Sequence, residues 1–298
     1  MTSPTSAHPP VVCFGELLWD SLPQGLFLGG APFNVACHLA RLGHHAVLLS
    51  AVGKDFLGDE AIRRANDAGV DTRAIERSKD LPTGCVQAEL DASGNARYQI
   101  LEPVAWDRID LDGDALDLAR SASALVYGSL AARSGVNRVT LDTLHGMDIP
   151  LKIIDVNLRP PFDDVGRVLA LARQADVIKL NEDELGVLTG THSDRHELND
   201  ALKLLEEMTR VHRICVTRGE NGAAWWNRGQ SIQASAPAVT VKDTVGSGDA
   251  FMAGLVHALL KRGKAPLEQA DLDYACRLGA LVASSDGANP DYNPQSLG

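Results

Sequence analysis

The chain has 298 residues, 45% of them hydrophobic, and a net charge of −11. That length suits one large α/β domain or two smaller ones, and no apolar run is long enough for a membrane span. The acidic balance, without a basic cluster, argues against a nucleic-acid partner but not against nucleotide phosphates, which local amides hold whatever the overall charge. The cysteines at 13, 37, 85, 215 and 276 show no Cys-x-x-Cys spacing. They read as buried free thiols in a reducing compartment, so the expected location is cytoplasmic. Residues 1–10 read as a disordered tail without a secretory core, ahead of a single domain over 11–298.

Val11–Phe14 reads as a short buried strand ending at Gly15, with Glu16 and Asp20 just beyond it. A carboxylate at the end of a first parallel strand commonly faces a ligand crevice. Leu22–Leu28, with Pro23 and Gly25, is too irregular for core and reads as a small excursion. Gly29-Gly30-Ala-Pro-Phe-Asn34 then leads into a helix over Val35–Leu42. Paired glycines let backbone approach a ligand, and the Asn34 amide both donates and accepts, although a tight turn explains the glycines equally well. Ala46–Val52 is a strand and Asp59–Ala68 a helix. Thr83–Leu90 and Ala96–Leu101 flank a turn at 91–95 as a hairpin. That hairpin suggests a separate small sheet, so lid segments are expected at about 20–30 and 82–106.

From Ala124 the rhythm is strand then helix: Ala124–Tyr127, Val136–His145, Leu151–Asp155, Val165–Arg173, Val177–Leu180, a helix opened by Asn181–Glu184, Leu198–Met208 and Ile214–Thr217. Ala223–Trp226 and Ser231–Ala234 pair around a turn, and helices follow at 249–262 and about 267–284. Such alternation implies an α/β fold with a mainly parallel sheet. Asp20, Asn157, Arg159, Asn181, Glu184, Thr217, Gly219 and Asp249 fall at or just after the predicted strand ends, the edge at which such sheets bind ligands.

The chain is organised around Asp243-Thr-Val-Gly-Ser-Gly-Asp249 and the apolar helix after it. Val239–Val241 reads as the end of a strand, and Gly246 and Gly248 as turn residues. A glycine turn opening into a helix aims free N–H groups and the positive dipole end at one point, a site for phosphate. Asp249 places a carboxylate beside that hole, where it would repel a merely bound anion. The pairing makes sense if the carboxylate takes a proton from a hydroxyl while the amides hold the phosphoryl group under attack. The plainer reading makes Asp249 an N-cap and the glycines a connection.

Gly29-Gly30-Ala-Pro-Phe-Asn34 and Val52-Gly-Lys-Asp-Phe-Leu-Gly58 resemble the first signature of the ribokinase-like (PfkB-type) carbohydrate kinases. Asp243–Asp249 with Ala250-Phe-Met-Ala-Gly254 resembles their second, and Asn181-x-x-Glu184 and Thr217-Arg-Gly-Glu-Asn-Gly222 the two motifs between. The likeness runs from about Val11 to Pro290. It implies a three-layer α/β/α sandwich with a small β-sheet lid, and transfer of the γ-phosphate of ATP to a sugar hydroxyl. By the same resemblance Asp249 would be the general base and the amides of Gly246, Ser247 and Gly248 its anion hole. Asp20, Gly30 and Asn34 would hold sugar hydroxyls, with Tyr98, Trp106 and Arg159 nearby. Asn181 and Glu184 would hold Mg²⁺ through water, and Thr217, Gly219 and Gly222 would meet the nucleotide phosphates. Cys276 and Gly279 would border adenine, and Asp243 and Gly287 a monovalent cation such as K⁺.

Cys13-Phe-Gly-Glu-Leu-Leu-Trp-Asp20, Ala105-Trp-Asp107 and Asp155-Val-Asn-Leu-Arg-Pro-Pro161 are most similar to bacterial fructokinases. Gly128-Ser-Leu-Ala-Ala132 lacks the sugar-binding glutamate of ribokinases, which counts against ribose. A 2-keto-3-deoxygluconate kinase stays open, as do a nucleoside kinase and a non-catalytic sugar sensor. An oxidoreductase reading lacks a Gly-x-Gly-x-x-Gly after the first strand. The lid edge could also support a homodimer.

Overall fold

A computed structural model describes residues 8–22, 25–90, 96–191 and 198–297, with side chains left undescribed at 88–90 and 96–98. Most of the expected tail and the hairpin turn at 91–95 lie outside the described residues. The chain divides into two compact units, Met1–Ala122 with Ala131–Ile149, and Ser123–Leu130 with Pro150–Gly298.

In the first unit, β1 (Val11–Phe14) is followed by β2 (Leu18–Leu22) and β3 (Gly25–Gly29), then α1 (Ala31–Arg41). The supposedly irregular stretch is thus regular: β2 and β3 pair antiparallel, Leu18 opposite Gly29 and Leu22 opposite Gly25. Helix α1 starts four residues earlier than predicted, because Pro32 in its first turn tolerates a missing N–H there. Strand β4 (Ala46–Gly53) is buried throughout and lies parallel to β1. Helix α2 (Phe56–Asp67) starts where the Asp55 carboxylate accepts from Gly58 N. Strand β5 (Ile75–Ser78), unforeseen, joins β4 in parallel. Strands β6 (Gly84–Leu90) and β7 (Ala96–Ile100) complete a separate sheet in the order β3-β2-β6-β7, mixed because β2 and β6 run parallel. Helices α3 (Gly113–Arg120) and α4 (Gly135–His145) follow.

The second unit is built on β8 (Ala124–Gly128), β9 (Lys152–Asp155), β10 (Val177–Asn181) and β11 (Arg213–Thr217), all parallel. Their cores are apolar and buried, as strands covered on both faces require. Two antiparallel strands, β12 (Ala223–Asn227) and β13 (Gln230–Ala234), extend the sheet beyond β11. Helices α5 (Val165–Ala172), α6 (Glu182–Thr189), α7 (Leu198–Thr209), α8 (Ser247–Arg262) and α9 (Gln269–Ala283) accompany it. The strand end expected at Val239–Val241 is absent; both valines are exposed and pair with nothing in a sheet. Four of the five cysteines are buried and unbridged, with Cys85 half-buried.

Candidate active site

In the second unit the carboxyl edge of the parallel strands gathers most of the predicted residues. Asp155 lies beside Lys179 in the β9–β10 register, and Asn181 beside Thr217 in the β10–β11 register. Asn181 caps α6: its side chain accepts from Glu184 N at 2.8 Å, and Glu184 Oε2 accepts from Asn181 N at 2.9 Å. Glu184 Oε1 also accepts from Leu158 N at 2.9 Å, tying the loop after β9 to α6. Burial, with the Asp155 charge beside it, pushes the Glu184 carboxyl up. Arg159, one residue on in that loop, is exposed.

The turn before α8 carries residues predicted to form an anion hole. Gly246 adopts a left-handed φ of 77°, and a Cβ there would lie 2.5 Å from Ala288 Cβ, so only glycine fits. Ser247 N, the first amide of the 16-residue helix, donates to Thr244 O at 3.2 Å, and the Gly248 amide follows it without an intrahelical partner, with Asp249 in the first turn. Ser247 Oγ donates to Gly279 O at 3.0 Å, which pins the turn to α9. Gly279 and the buried Cys276 are therefore packing positions between helices as well as candidate adenine contacts. Burial pushes the Cys276 thiol up to about 11. Thr217 is half-buried, Gly219 opens a short 3₁₀ turn, and Gly222 sits tight against the Ala234 backbone. Asp243 Oδ1 accepts from Val245 N at 3.0 Å, and Gly287 is exposed.

One residue at this edge escaped the sequence reading. Lys179 is buried in β10, with Nζ 3.0 and 3.1 Å from the Asp155 oxygens. Burial pulls its ammonium down, but Asp155, Glu184 and Asp249 together hold it above the ordinary lysine range. The available signal was a charge inside the apolar run Val177-Ile-Lys-Leu180.

The first unit carries the other predicted residues. Asp20 is not in a loop after β1; it lies within β2, where a Cβ on Gly29 would come 2.5 Å from its Oδ2. Gly30, with φ 115°, precedes α1 and presses against the Glu16 carbonyl, a closeness no side chain would permit. Asn34 and Glu16 are both buried, which marks Glu16 as a polar group the motif reading left without a role. Tyr98 lies on β7. Trp106, expected to line a sugar pocket, is fully buried: its indole nitrogen faces Gly84, and Arg133 stacks on its ring at 3.9 Å. That nitrogen has no hydrogen-bond partner among the described residues. A cavity of about 380 Å³ in this unit is lined by Leu81, Glu102, Arg108 and Ser134 among others, and by none of the predicted sugar-binding residues.

Among the described residues no group of three His, Cys, Asp or Glu side chains is arranged to hold a metal, and no helix is long and apolar enough to cross a membrane.

Residues 24–295 match the family model described as pfkB family carbohydrate kinase. An Arabidopsis thaliana protein named probable fructokinase-7 is 30% identical over 312 residues, covering 94% of this chain and 88% of its own. The fructokinase of Vibrio cholerae O395, solved in fructose, ADP and calcium ion bound form, is 25% identical with a TM-score of 0.79, covering 94% of each chain. The ATP-bound fructokinase of Xylella fastidiosa, 24% identical, has the same fold at a TM-score of 0.83 over 97% of this chain and 98% of that one. The fold is thus ribokinase-like α/β, with a large, mostly parallel sheet between helices and a small separate sheet. By its family model the chain belongs to the pfkB family of carbohydrate kinases, phosphotransferases with an alcohol group as acceptor.

Proposed function

We propose that this chain transfers the γ-phosphoryl group of ATP to a hydroxyl of fructose. The observation that carries the reading is the left-handed Gly246 turn that opens α8, with Gly248 and Asp249 in the first turn of the helix. The acceptor hydroxyl oxygen forms the new bond to phosphorus, and its proton passes to Asp249. The bond from phosphorus to the bridging oxygen breaks, and its electron pair leaves with ADP. The Gly246–Gly248 amides stabilise the equatorial oxygens throughout. Asp20, Gly30 and Asn34 orient the sugar, while Thr217, Gly219 and Gly222 meet the nucleotide phosphates, and Cys276 and Gly279 border adenine.

The donor set fits Mg²⁺ held at arm's length. Both Glu184 oxygens already accept backbone N–H groups, and one carboxylate with one amide makes no cage. Asn181 and Glu184 would hold the ion through water, as Mg²⁺ prefers. When bound it supplies charge neutralisation on the phosphates. Asp243 and the carbonyls near Gly287 would hold a monovalent cation.

Fructose is favoured because relatives across the length of the chain are fructokinases by name and Gly128–Ala132 offers no acid for ribose. The test is ATP consumption with fructose, ribose, 2-keto-3-deoxygluconate, tagatose and adenosine, in the parent and in Asp249→Asn. Fructose should dominate, and the variant should lose about 10²-fold or more in kcat with sugar affinity kept within a few-fold. Near-normal turnover in Asp249→Asn overturns the base assignment. Preference for the keto acid means Arg159 reads a carboxylate.

Strand β3 is an edge of the small sheet, and its Leu26 and Phe27 are 48% and 46% exposed. A second copy of this sheet is a fitting cover for that edge. Sedimentation at micromolar concentration should give a dimer that Phe27→Lys weakens; a monomer at every concentration refutes it.

A further inference from the structure

A buried ion pair carries a large desolvation cost, and apolar residues of the same volume often stabilise a fold as well or better. Lys179 and Asp155 are 6% and 5% exposed, yet nothing in the strand pattern of β9 and β10 demands charge there. Their position supplies the reason. A Cβ added to Gly248 would lie 3.4 Å from Lys179 Nζ, so the ammonium rests against the backbone of the first turn of α8. Asp249 and Glu184 also lie within its electrostatic reach. The edge therefore holds three carboxylates, Asp155, Glu184 and Asp249, and one buried cation among them. Without that cation the three negative charges would oppose the polyphosphate that the amides are arranged to attract.

We propose that Lys179 is a positioning residue for phosphoryl transfer: clamped by Asp155, its ammonium backs the Gly246–Gly248 turn with fixed positive charge and offsets the repulsion from Asp249. This rests on the turn being the phosphoryl site. Charge fixed in place before the reaction needs no reorganisation as the phosphoryl group moves, and it stays effective because Lys179 itself is buried. Lys179 transfers no proton. It acts through the turn, and its effect should fall on the phosphoryl group and leave the sugar alone.

The decisive variant is D155N/K179M, which removes both charges and leaves no buried ion alone. Melting temperature, calorimetric affinity for fructose, affinity for ADP with fluoroaluminate and magnesium as a phosphoryl mimic, and kcat are measured side by side. The variant should melt within a few degrees of the parent and bind fructose within about two-fold. It should bind the mimic at least about ten-fold more weakly and lose a similar factor in kcat, the size of one charge-assisted contact. Parent-like mimic affinity and kcat in D155N/K179M overturn the inference and leave the pair a structural one. Should that variant not fold, D155N/K179Q, which keeps a hydrogen bond between the two positions, is read by the same criteria. Asp249→Asn in the same series separates the two ideas. Its near-normal turnover would refute the role of Asp249 on which the proposed function rests, whereas its loss beside an unaffected D155N/K179M refutes only the role of Lys179.

Discussion

Two buried ion pairs, one in each unit, use the same chemistry to different ends. In the first unit Arg133 meets Asp107 as a fork, Nε to Oδ1 at 2.7 Å and Nη2 to Oδ2 at 2.9 Å. Asp107 Oδ2 also accepts from Val104 N, Arg133 Nη2 donates to Leu101 O, and the guanidinium lies over the Trp106 ring. All of those contacts except the local one to Val104 tie one chain segment to another. In the second unit the Lys179 ammonium bonds Asp155 alone among the contacts described, while two further carboxylates feel its charge and a glycine turn rests against it. A planar fork suits a joint and a compact point charge suits a field. The difference teaches that a buried pair is to be judged by what its charge still reaches after its own hydrogen bonds are drawn.

The contrast breaks most easily at Arg133. Removing one partner strands a buried charge, so Arg133→Met should cost about 3–5 kcal/mol, a fall in melting temperature of about 10 °C for a chain of this size. The protein that remains folded should retain kcat within about three-fold. Calorimetric melting and turnover at a permissive temperature measure both. A variant that melts normally but has lost turnover would move Arg133 into the site and erase the distinction.

The turn above Lys179 gives the next effect. Gly246→Ala forces a side chain into a left-handed backbone and onto Ala288, and about 2 kcal/mol of lost stability is expected from strain and contact together. Turnover should fall further than stability accounts for, because the amides move. Gly263→Ala is the control: its φ is 59°, but nothing lies within 4 Å of its Cβ, so it should cost about 1 kcal/mol and leave kcat alone. Equal behaviour of the two variants would mean that the Gly246 turn is an ordinary connection.

What the sequence disclosed follows from where each signal is local. The apolar runs of β1, β4 and β8 to β11 are unbroken enough to read directly, and the Gly246–Asp249 turn announces itself by composition within four residues. Strands β2 and β3 were hidden by Pro23 and Gly25, and β5 by having one apolar residue in Ile-Glu-Arg-Ser. Val239 and Val241 mimic a strand by alternation but have no sheet neighbour to join. The remaining gaps are non-local. Nothing near Trp106 in the chain announces that Gly84 and Arg133 lie against its ring, and Lys179 looks like a stray charge until the β9–β10 register sets Asp155 beside it. Side-chain environment depends on which strands become neighbours, and no residue states its own neighbours.

A third pair, half in solvent, sharpens the comparison from the weak side. His45 Nε2 meets Asp71 Oδ2 at 2.9 Å, and Arg73 Nη2 reaches the same oxygen at 2.6 Å. Burial pushes the Asp71 carboxyl up, but the hydrogen bonds from Arg73 and His45 outweigh it and hold it at about 2. A carboxyl lowered in the folded state contributes stability that is present above its unfolded value, about 3.9, and lost as pH falls toward about 2. With the Arg73 side chain 53% exposed, solvent screening reduces that contribution to about 1 kcal/mol. Urea unfolding of the parent and of Asp71→Asn at pH 7 should therefore differ by about that amount, and the gap should close between pH 4 and pH 2. Sodium chloride at 1 M should shrink it at pH 7, whereas the Arg133→Met loss should hardly respond, because exposed charges are screened and buried ones are not. A salt-insensitive Asp71 gap would place this pair with the buried joints after all.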